Sequence, residues 1–149
     1  MMDFTNGAAF EEGLELADRA EDDRKDFFVV KNGECFAGTH LLIDVRDAEG
    51  LDDLKLIEET MKTCVEAAGA TLLTIDLHHF TPNGGVSGVA ILAESHISIH
   101  SWPEYGYAAL DIFVCGDADP HKAVPVLKKA FKAGRVDVEE VRRGKGMVA

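Results

Sequence analysis

Basic residues are scarce in this chain of 149 residues: 15 lysines and arginines stand against 27 aspartates and glutamates, for a formal net charge of −12. Because binding to phosphates needs clustered positive charge, this composition argues against nucleic acid as a partner. No apolar run approaches the length of a membrane span, and the acidic N-terminus lacks the basic start and apolar stretch of a secretory signal. We therefore expect a cytoplasmic protein with neither a nucleic-acid nor a membrane partner.

Cysteine is also sparse, with only Cys35, Cys64 and Cys115. An odd, widely spaced set in a chain without an export signal is a poor disulfide framework, so we expect reduced thiols. Cys64 falls in a helical apolar pattern and is predicted to lie in the core. Cys115 ends a strand in the segment that carries the candidate chemistry, described below.

The order of apolar patterns predicts one α+β domain, a two-layer α/β sandwich in which an antiparallel or mixed sheet carries two main helices on one face. A short strand or hairpin turns at Asn32-Gly33. The remaining predicted elements are a strand at 38–45, a helix from Leu54 to Gly69, strands at 71–80, 86–100 and 107–115, a helix opened by Asp119-Pro120, and a last strand at 135–141.

Two details of this scheme depend on single positions. We interpret 86–100 as a strand that continues or bends near Glu94-Ser95. Pro125 would remove a backbone hydrogen bond early in the second helix, so we expect a kink or a later start there. We expect residues 1–26 to form an acidic N-terminal arm or short helix outside the domain, which spans 27–149.

The most informative segment is 92–116, LAESHISIHSWPEYGYAALDIFVCG. His96 and His100 share parity, so a regular strand presents both on one face. An aromatic-rich turn with a single carboxylate, Glu104, follows, and Cys115 ends the next strand. Aromatic walls with a few converging polar groups are typical of small-molecule sites. Each residue alone is more often structural than functional, and only the combination favours a site.

The histidines and the thiol also allow a metal-site interpretation, because imidazole and thiolate are zinc ligands. None of them has a recognised metal-ligand spacing, however, and His78 and His79 point to opposite faces of a strand. We therefore expect no metal. The residues considered for this site are His78, His79, His96, His100 and Cys115.

The segment ESHISIHSWPEYGYAALDIFVCG closely resembles the self-processing segment of the small prokaryotic S-adenosylmethionine decarboxylases. The likeness extends to FAGTHLLIDV, HHFTPNGGVSGVAILAES and DPHKAVPVLKKAF, and so covers roughly residues 36–143. One departure is Ser101, where the family usually has threonine, and the small hydroxyl side chain is kept.

The resemblance implies that the chain cleaves itself between Glu94 and Ser95, giving a β chain, 1–94, and an α chain, 95–149. The Ser95 hydroxyl attacks the Glu94 carbonyl in an N-to-O acyl shift, and elimination then converts residue 95 into a covalent pyruvoyl group, the pyruvate cofactor. By the same match His100 is the acid/base group of processing. A hydroxyl needs such a base, and a histidine a few residues downstream on a bent strand could reach it.

Catalysis and binding are implied in the same way. The pyruvoyl ketone forms a Schiff base with the substrate amine and accepts electrons as carbon dioxide leaves, and Cys115 returns a proton to the substrate. The product is the aminopropyl donor for spermidine synthesis. The residues implied to bind S-adenosylmethionine are Phe80, Ser87, Trp102 and Glu104.

Two alternatives to this activity stay open at this point. A remodelled pocket could accept arginine or ornithine, because pyruvoyl chemistry does not depend on what lies beyond the α-amino acid. The chain could also be an uncleaved, non-enzymatic homologue. The resemblance further implies a homo-oligomer of αβ pairs, with residues of both protomers near each site.

Overall fold

A six-stranded antiparallel sheet with two helices on one face forms the body of the protein. The computed structural model describes residues 28–82 and 84–146, so the arm predicted at 1–26 lies outside the described residues. The strands are β1 (Val29–Lys31), β2 (Glu34–Phe36), β3 (Gly38–Arg46), β4 (Leu72–His79), β5 (Val86–Leu92), β6 (Ser95–Trp102), β7 (Tyr107–Val114) and β8 (Arg135–Arg143), and the helices are α1 (Leu54–Ala68) and α2 (Val124–Ala130).

The large sheet has the strand order β4-β5-β6-β7-β3-β8, and all its neighbouring strands are antiparallel. β1 and β2 form a separate two-stranded hairpin. The predicted α+β sandwich is therefore confirmed. Of the two sheet types predicted, antiparallel or mixed, the structure has the antiparallel one.

Helix α1 begins and ends where its local sequence predicts. The Asp53 side chain accepts a hydrogen bond from the Leu56 N–H at the first turn, which satisfies a donor that has no partner within the helix. Gly69 adopts a left-handed conformation with φ of 74° and ends the helix, as glycine commonly does.

The second helix has the later start that Pro125 predicts. A 3₁₀ turn at Pro120–Ala123 comes first, and α2 begins at Val124. Pro125 then lies in the first turn of α2, where its missing N–H has no helical partner to lose.

The interpretation of 86–100 as one strand is wrong. β5 and β6 are the two arms of an antiparallel hairpin in which Leu92 pairs with Ser95, so Ala93 and Glu94 form the turn. This turn contains no glycine, asparagine or proline, the residues that signal a tight hairpin. Without that signal, two apolar arms in succession look like a single bent strand.

Each strand of the large sheet divides its side chains between two faces. On β6, Ile97 and Ile99 are buried in the core with residues of both helices. His96, Ser98 and His100 alternate with them and point to the opposite face, which no helix of the described residues covers. We call this the open face. No helix within 28–82 and 84–146 is long and apolar enough to cross a bilayer.

Candidate active site

The Glu94–Ser95 peptide bond lies at the β5–β6 hairpin turn, where Thr71 holds the Glu94 side chain. The Glu94 carboxylate accepts hydrogen bonds from the Thr71 N–H at 2.9 Å and the Thr71 hydroxyl at 3.3 Å. Ser95 has a φ of 154°, in a region that residues other than glycine rarely populate and that carries backbone strain. The bond therefore lies at an anchored and strained point of the chain.

Cys115 contacts the carbonyl group of this same bond. Its backbone N–H and its thiol both lie 3.2 Å from the Glu94 carbonyl oxygen. Burial and, to a smaller degree, the negative charge of Glu94 raise the pKa of the Cys115 thiol. The thiol therefore keeps its proton at neutral pH and is suited to donate it.

A second group of predicted site residues surrounds a cavity of about 210 Å³ on the open face. His100 Nδ1 lies 2.9 Å from the Ser87 hydroxyl in this group. Trp102 stacks against Tyr107, with ring centroids 5.3 Å apart and planes inclined by 28°. The cavity is lined by Phe80, Gly85, Ser87, His100, Ser101, Trp102 and Glu104.

The two groups lie toward opposite ends of the same strands. His100 is five residues beyond Ser95 on β6, pairing with Ser87 while Ser95 pairs with Leu92. At about 3.3 Å per residue, the separation is roughly 16 Å. Within one chain, His100 therefore does not reach the Ser95 hydroxyl, because the regular strand extends away from the turn.

A hydrogen-bond network on the open face was not predicted from the sequence. Asp111 Oδ2 lies 2.6 Å from His40 Nε2 and 3.1 Å from His96 Nε2. The Ser98 hydroxyl donates to the other carboxylate oxygen. Burial raises the pKa of Asp111, but the hydrogen bonds from Ser98 and the two histidines together hold it below its ordinary value. A carboxylate in the apolar strand YAALDIFV is the signal that could have indicated this network.

The metal-site candidates do not come together as a set. Among them, His96 joins His40 and Asp111, and the three offer ligand atoms within 4.8 Å of one another. The His78 ring packs 4.3 Å from that of Phe80, and His79 Nε2 lies 3.1 Å from the Gly84 carbonyl oxygen. Because both imidazoles direct Nε2 to one carboxylate oxygen, hydrogen bonds account for the geometry of the cluster.

The core prediction for Cys64 is confirmed. Cys64 lies on α1, and its side chain is buried in the core between the helices and the sheet. Burial raises the pKa of its thiol to about 12.

Comparison with known proteins gives consistent matches across this region. Residues 39–144 match the family model described as S-adenosylmethionine decarboxylase. The S-adenosylmethionine decarboxylase proenzyme of Thermotoga maritima is 52% identical over 111 residues, which cover 72% of this chain and 85% of the relative. The proenzyme of Methanococcus maripaludis strain C7 is 46% identical over 110 residues, covering 72% and 89%.

A solved structure agrees with these sequence matches. The crystal structure of the adenosylmethionine decarboxylase from Aquifex aeolicus superposes with a TM-score of 0.65 at 34% identity, covering 72% of this chain and 90% of that one. The fold and the matches together define a carboxy-lyase. The chain belongs to the S-adenosylmethionine decarboxylase family. Neither the amino-acid decarboxylase nor the non-enzymatic alternative is favoured by these comparisons.

Proposed function

We propose that this chain cleaves itself between Glu94 and Ser95 and that the resulting pyruvoyl enzyme decarboxylates S-adenosylmethionine. One observation carries the proposal: the carbonyl oxygen of Glu94, the residue before the serine, accepts hydrogen bonds from both the N–H and the thiol of Cys115. The description of the curated relatives as proenzymes supports a processing step.

The contacts at the turn suit an acyl shift. Attack of the Ser95 hydroxyl on the Glu94 carbonyl carbon closes a five-membered ring and places negative charge on the carbonyl oxygen. Donors already aimed at that oxygen stabilise the charge without having to reorganise. Because Ser95 has a rarely populated backbone conformation, cleavage also releases local strain.

After cleavage, residue 95 provides the chemistry that an ordinary side chain lacks. A pyruvoyl group supplies an electrophilic carbonyl, which holds the substrate amine and takes up electrons as carbon dioxide leaves. Cys115 lies next to this position, and its raised pKa keeps the thiol protonated. We assign Cys115 as the donor that returns a proton to the α-carbon of the substrate.

The cavity on the open face suits the remainder of the substrate. Phe80 and Trp102 are 49% and 42% exposed, so their ring faces are available to an adenine ring and a sulfonium cation. Contact between a cation and an aromatic face contributes about 0.5–2 kcal/mol. We assign Glu104 to the ribose hydroxyls and Ser87 to the substrate, following the family match.

The separation of the two groups supports a site that is shared between two copies of the chain. We propose that two open faces pack together in antiparallel orientation, so that the Ser95 turn of each protomer approaches the cavity of the other. His100 can then act in processing across the interface. The open face presents four large apolar side chains that are 42–49% exposed, namely Leu42, Phe80, Ile91 and Trp102, and a two-fold axis would pair such a surface with itself.

Mass and turnover measurements test the chemistry. Purified protein should consist of fragments 1–94 and 95–149, with the second blocked to Edman degradation, and should release labelled carbon dioxide from carboxyl-labelled S-adenosylmethionine. Ser95→Ala is the control, which should stay whole and inactive. Fully cleaved protein that releases no carbon dioxide, or active protein in one piece, would contradict the proposal.

Complementation tests the shared site. Ser95→Ala and Glu104→Gln protomers, each poorly active alone, should form mixed dimers when co-expressed with different tags. Such a dimer has one wholly wild-type site, so about half of the wild-type activity per dimer should return. If each site lay within one chain, the purified mixed dimer would be no more active than the two parent variants.

We also propose a cytoplasmic location. None of the three cysteines, all within the described residues, forms a disulfide, as is usual for proteins kept in a reducing compartment.

A further inference from the structure

Ser95, His96 and Asp111 form a chain of contacts within one protomer. The Ser95 hydroxyl oxygen lies 3.5 Å from His96 Nδ1, and His96 Nε2 lies 3.1 Å from Asp111 Oδ2. A serine, a histidine and an aspartate in this order are the arrangement by which hydrolases activate a serine nucleophile. In those hydrolases Nε2 of the histidine faces the serine and Nδ1 faces the aspartate. Here Nδ1 faces Ser95 and Nε2 faces Asp111. The serine is the residue expected to attack its own chain.

The contacts of Asp111 determine which nitrogen of His96 is free to act as a base. An ionised carboxylate only accepts hydrogen bonds, and the hydrogen bonds around Asp111 hold its pKa below the ordinary value. His96 Nε2 therefore carries the proton that Asp111 accepts. In a neutral imidazole the lone pair is then on Nδ1, the nitrogen that faces the Ser95 hydroxyl.

The rest of the network holds Asp111 in place. Arg143 Nη1 lies 3.1 Å from His40 Nδ1, and because arginine only donates, His40 Nδ1 is an acceptor. His40 Nε2 must then donate to Asp111 Oδ2, across 2.6 Å. Ser98 donates to the second oxygen. With both oxygens occupied, the carboxylate cannot rotate freely, and it presents a constant orientation to His96.

We propose that His96 is the general base of the ester-forming step of self-cleavage and that Asp111 is the residue that positions it. The inference rests on the proposed function, since it concerns how the Glu94–Ser95 bond is converted. It assigns the first step to a residue of the same chain and leaves the later elimination to His100.

The step balances in atoms and charge. His96 Nδ1 takes the proton of the Ser95 hydroxyl as the Oγ–C bond to the Glu94 carbonyl carbon forms, and the carbonyl oxygen becomes an oxyanion held by Cys115. The C–N bond then breaks as the Ser95 nitrogen takes the proton back from His96. The products are a Glu94–Ser95 ester and a free amine, with no outside reactant.

A cleavage time course on newly translated full chain tests the base. Loss of a general base typically slows a reaction by 10²–10⁴-fold, so His96→Ala should slow the appearance of fragments at least tenfold. Added imidazole should restore part of the rate. His121→Ala is the matched control, because His121 is exposed and contacts Glu140, away from the turn, and it should cleave at the wild-type rate.

Hydroxylamine tests whether the ester forms, because it cuts esters and leaves amides intact. His96→Ala should give no hydroxylamine-released fragment 1–94, since its ester does not form. Cleavage of His96→Ala slowed by less than tenfold, or an ester that accumulates in this variant, would overturn the proposal.

The positioning role of Asp111 has its own readout. In the uncleaved Ser95→Ala protein, nitrogen-15 NMR of His96 should show the proton on Nε2. Adding Asp111→Asn should shift the proton toward Nδ1, while the fold, followed by circular dichroism, is kept. A proton on Nδ1 in the Ser95→Ala protein would overturn the assignment.

The cleavage assay separates failure of this inference from failure of the proposed function. Failure of wild-type protein to cleave at all would reject the proposed function. Cleavage of wild type and His96→Ala at equal rates would reject this inference alone.

Discussion

The hydroxyl of Ser101 donates a hydrogen bond to the carbonyl oxygen of Leu51 across 2.8 Å. The same hydroxyl accepts the Val86 N–H at 2.9 Å, and Ser101 is only 8% exposed. One buried side chain thus joins the start of β5, the end of β6 and the loop before α1. The wall of the cavity on the open face depends on this junction, because Ser101 also lines the cavity.

Removing this hydroxyl should destabilise the fold. Ser101→Ala leaves a buried donor and a buried acceptor without partners, which costs about 1–3 kcal/mol. Urea unfolding of the uncleaved Ser95→Ala protein, at one protomer concentration, measures the change. Ser101→Thr is the matched control, since it keeps the hydroxyl. Equal losses of stability in both variants would show that the hydrogen bonds are not the cause.

The raised pKa of Cys115 predicts the pH dependence of turnover. A proton donor acts only while protonated, and its activity is lost as pH rises through its pKa. Because burial and the Glu94 charge raise that pKa above its ordinary value of 9.0, the midpoint of the alkaline decline in kcat should lie above about pH 9. A decline near pH 8 that Cys115→Ser abolishes would show that the thiol titrates lower than its surroundings imply.

Cys115→Ser should separate cleavage from decarboxylation. The backbone N–H still donates to Glu94, and a serine hydroxyl can replace the thiol as a second donor, so fragments should still form. A hydroxyl is a far weaker acid, so kcat should fall by about 10²–10⁴-fold. Single-turnover assays on fully cleaved protein provide the comparison. Loss of cleavage together with turnover would place the thiol in the processing step as well.

The lowered pKa of Asp111 predicts a loss of stability in acid. A carboxyl group whose pKa is lower in the folded state stabilises the protein above its unfolded pKa, and this contribution disappears as pH falls through the folded value. In the Ser95→Ala background, the stability difference between Asp111 and Asp111→Asn should be constant above about pH 5 and shrink below the ordinary carboxyl value of 3.8. Urea midpoints between pH 7 and pH 3 measure it, and a difference that grows toward low pH would contradict the prediction.

Trp102 should affect substrate binding more than chemistry. Trp102→Ala removes an exposed aromatic wall of the cavity, so KM should rise about tenfold or more, which is roughly 1.4 kcal/mol. Trp102→Phe should retain part of the effect. Tyr105, 77% exposed and not among the cavity-lining residues, supplies the control, and Tyr105→Ala should leave KM unchanged. A fall in kcat at unchanged KM would contradict a binding role.

Local signals in the sequence were sufficient for most of the fold. The cap at Asp53, the glycine stop at Gly69 and the Asn32-Gly33 turn each depend on a few neighbouring residues. Their effects therefore do not require the rest of the chain. The β5–β6 hairpin was missed because its turn at Ala93-Glu94 uses no residue with a turn preference of its own, and the pairing of Leu92 with Ser95 decides it.

Some residues of the candidate site could be predicted from the sequence, and others could be found only in the structure. The motif around Glu94-Ser95, together with Phe80, Ser87, Trp102, Glu104 and Cys115, is legible in the sequence because these residues resemble a known family. His40 and Asp111 also lie in segments that carry the resemblance, FAGTHLLIDV and the segment that ends at Gly116, but the resemblance assigned neither of them a role. They meet His96 only because β7 lies between β6 and β3 in the sheet.

The sequence by itself determined the kinds of residue available for chemistry and the faces on which each strand presents them, because side-chain alternation is a local property of an extended chain. Only the tertiary structure decided which of them meet. It brought Cys115 to Glu94 and Asp111 to His96, and it left His100 far from Ser95. The physical reason for these contacts is the register of the antiparallel strands, which places residues that are distant in the chain opposite each other. His100 is far from Ser95 because an extended strand rises about 3.3 Å per residue.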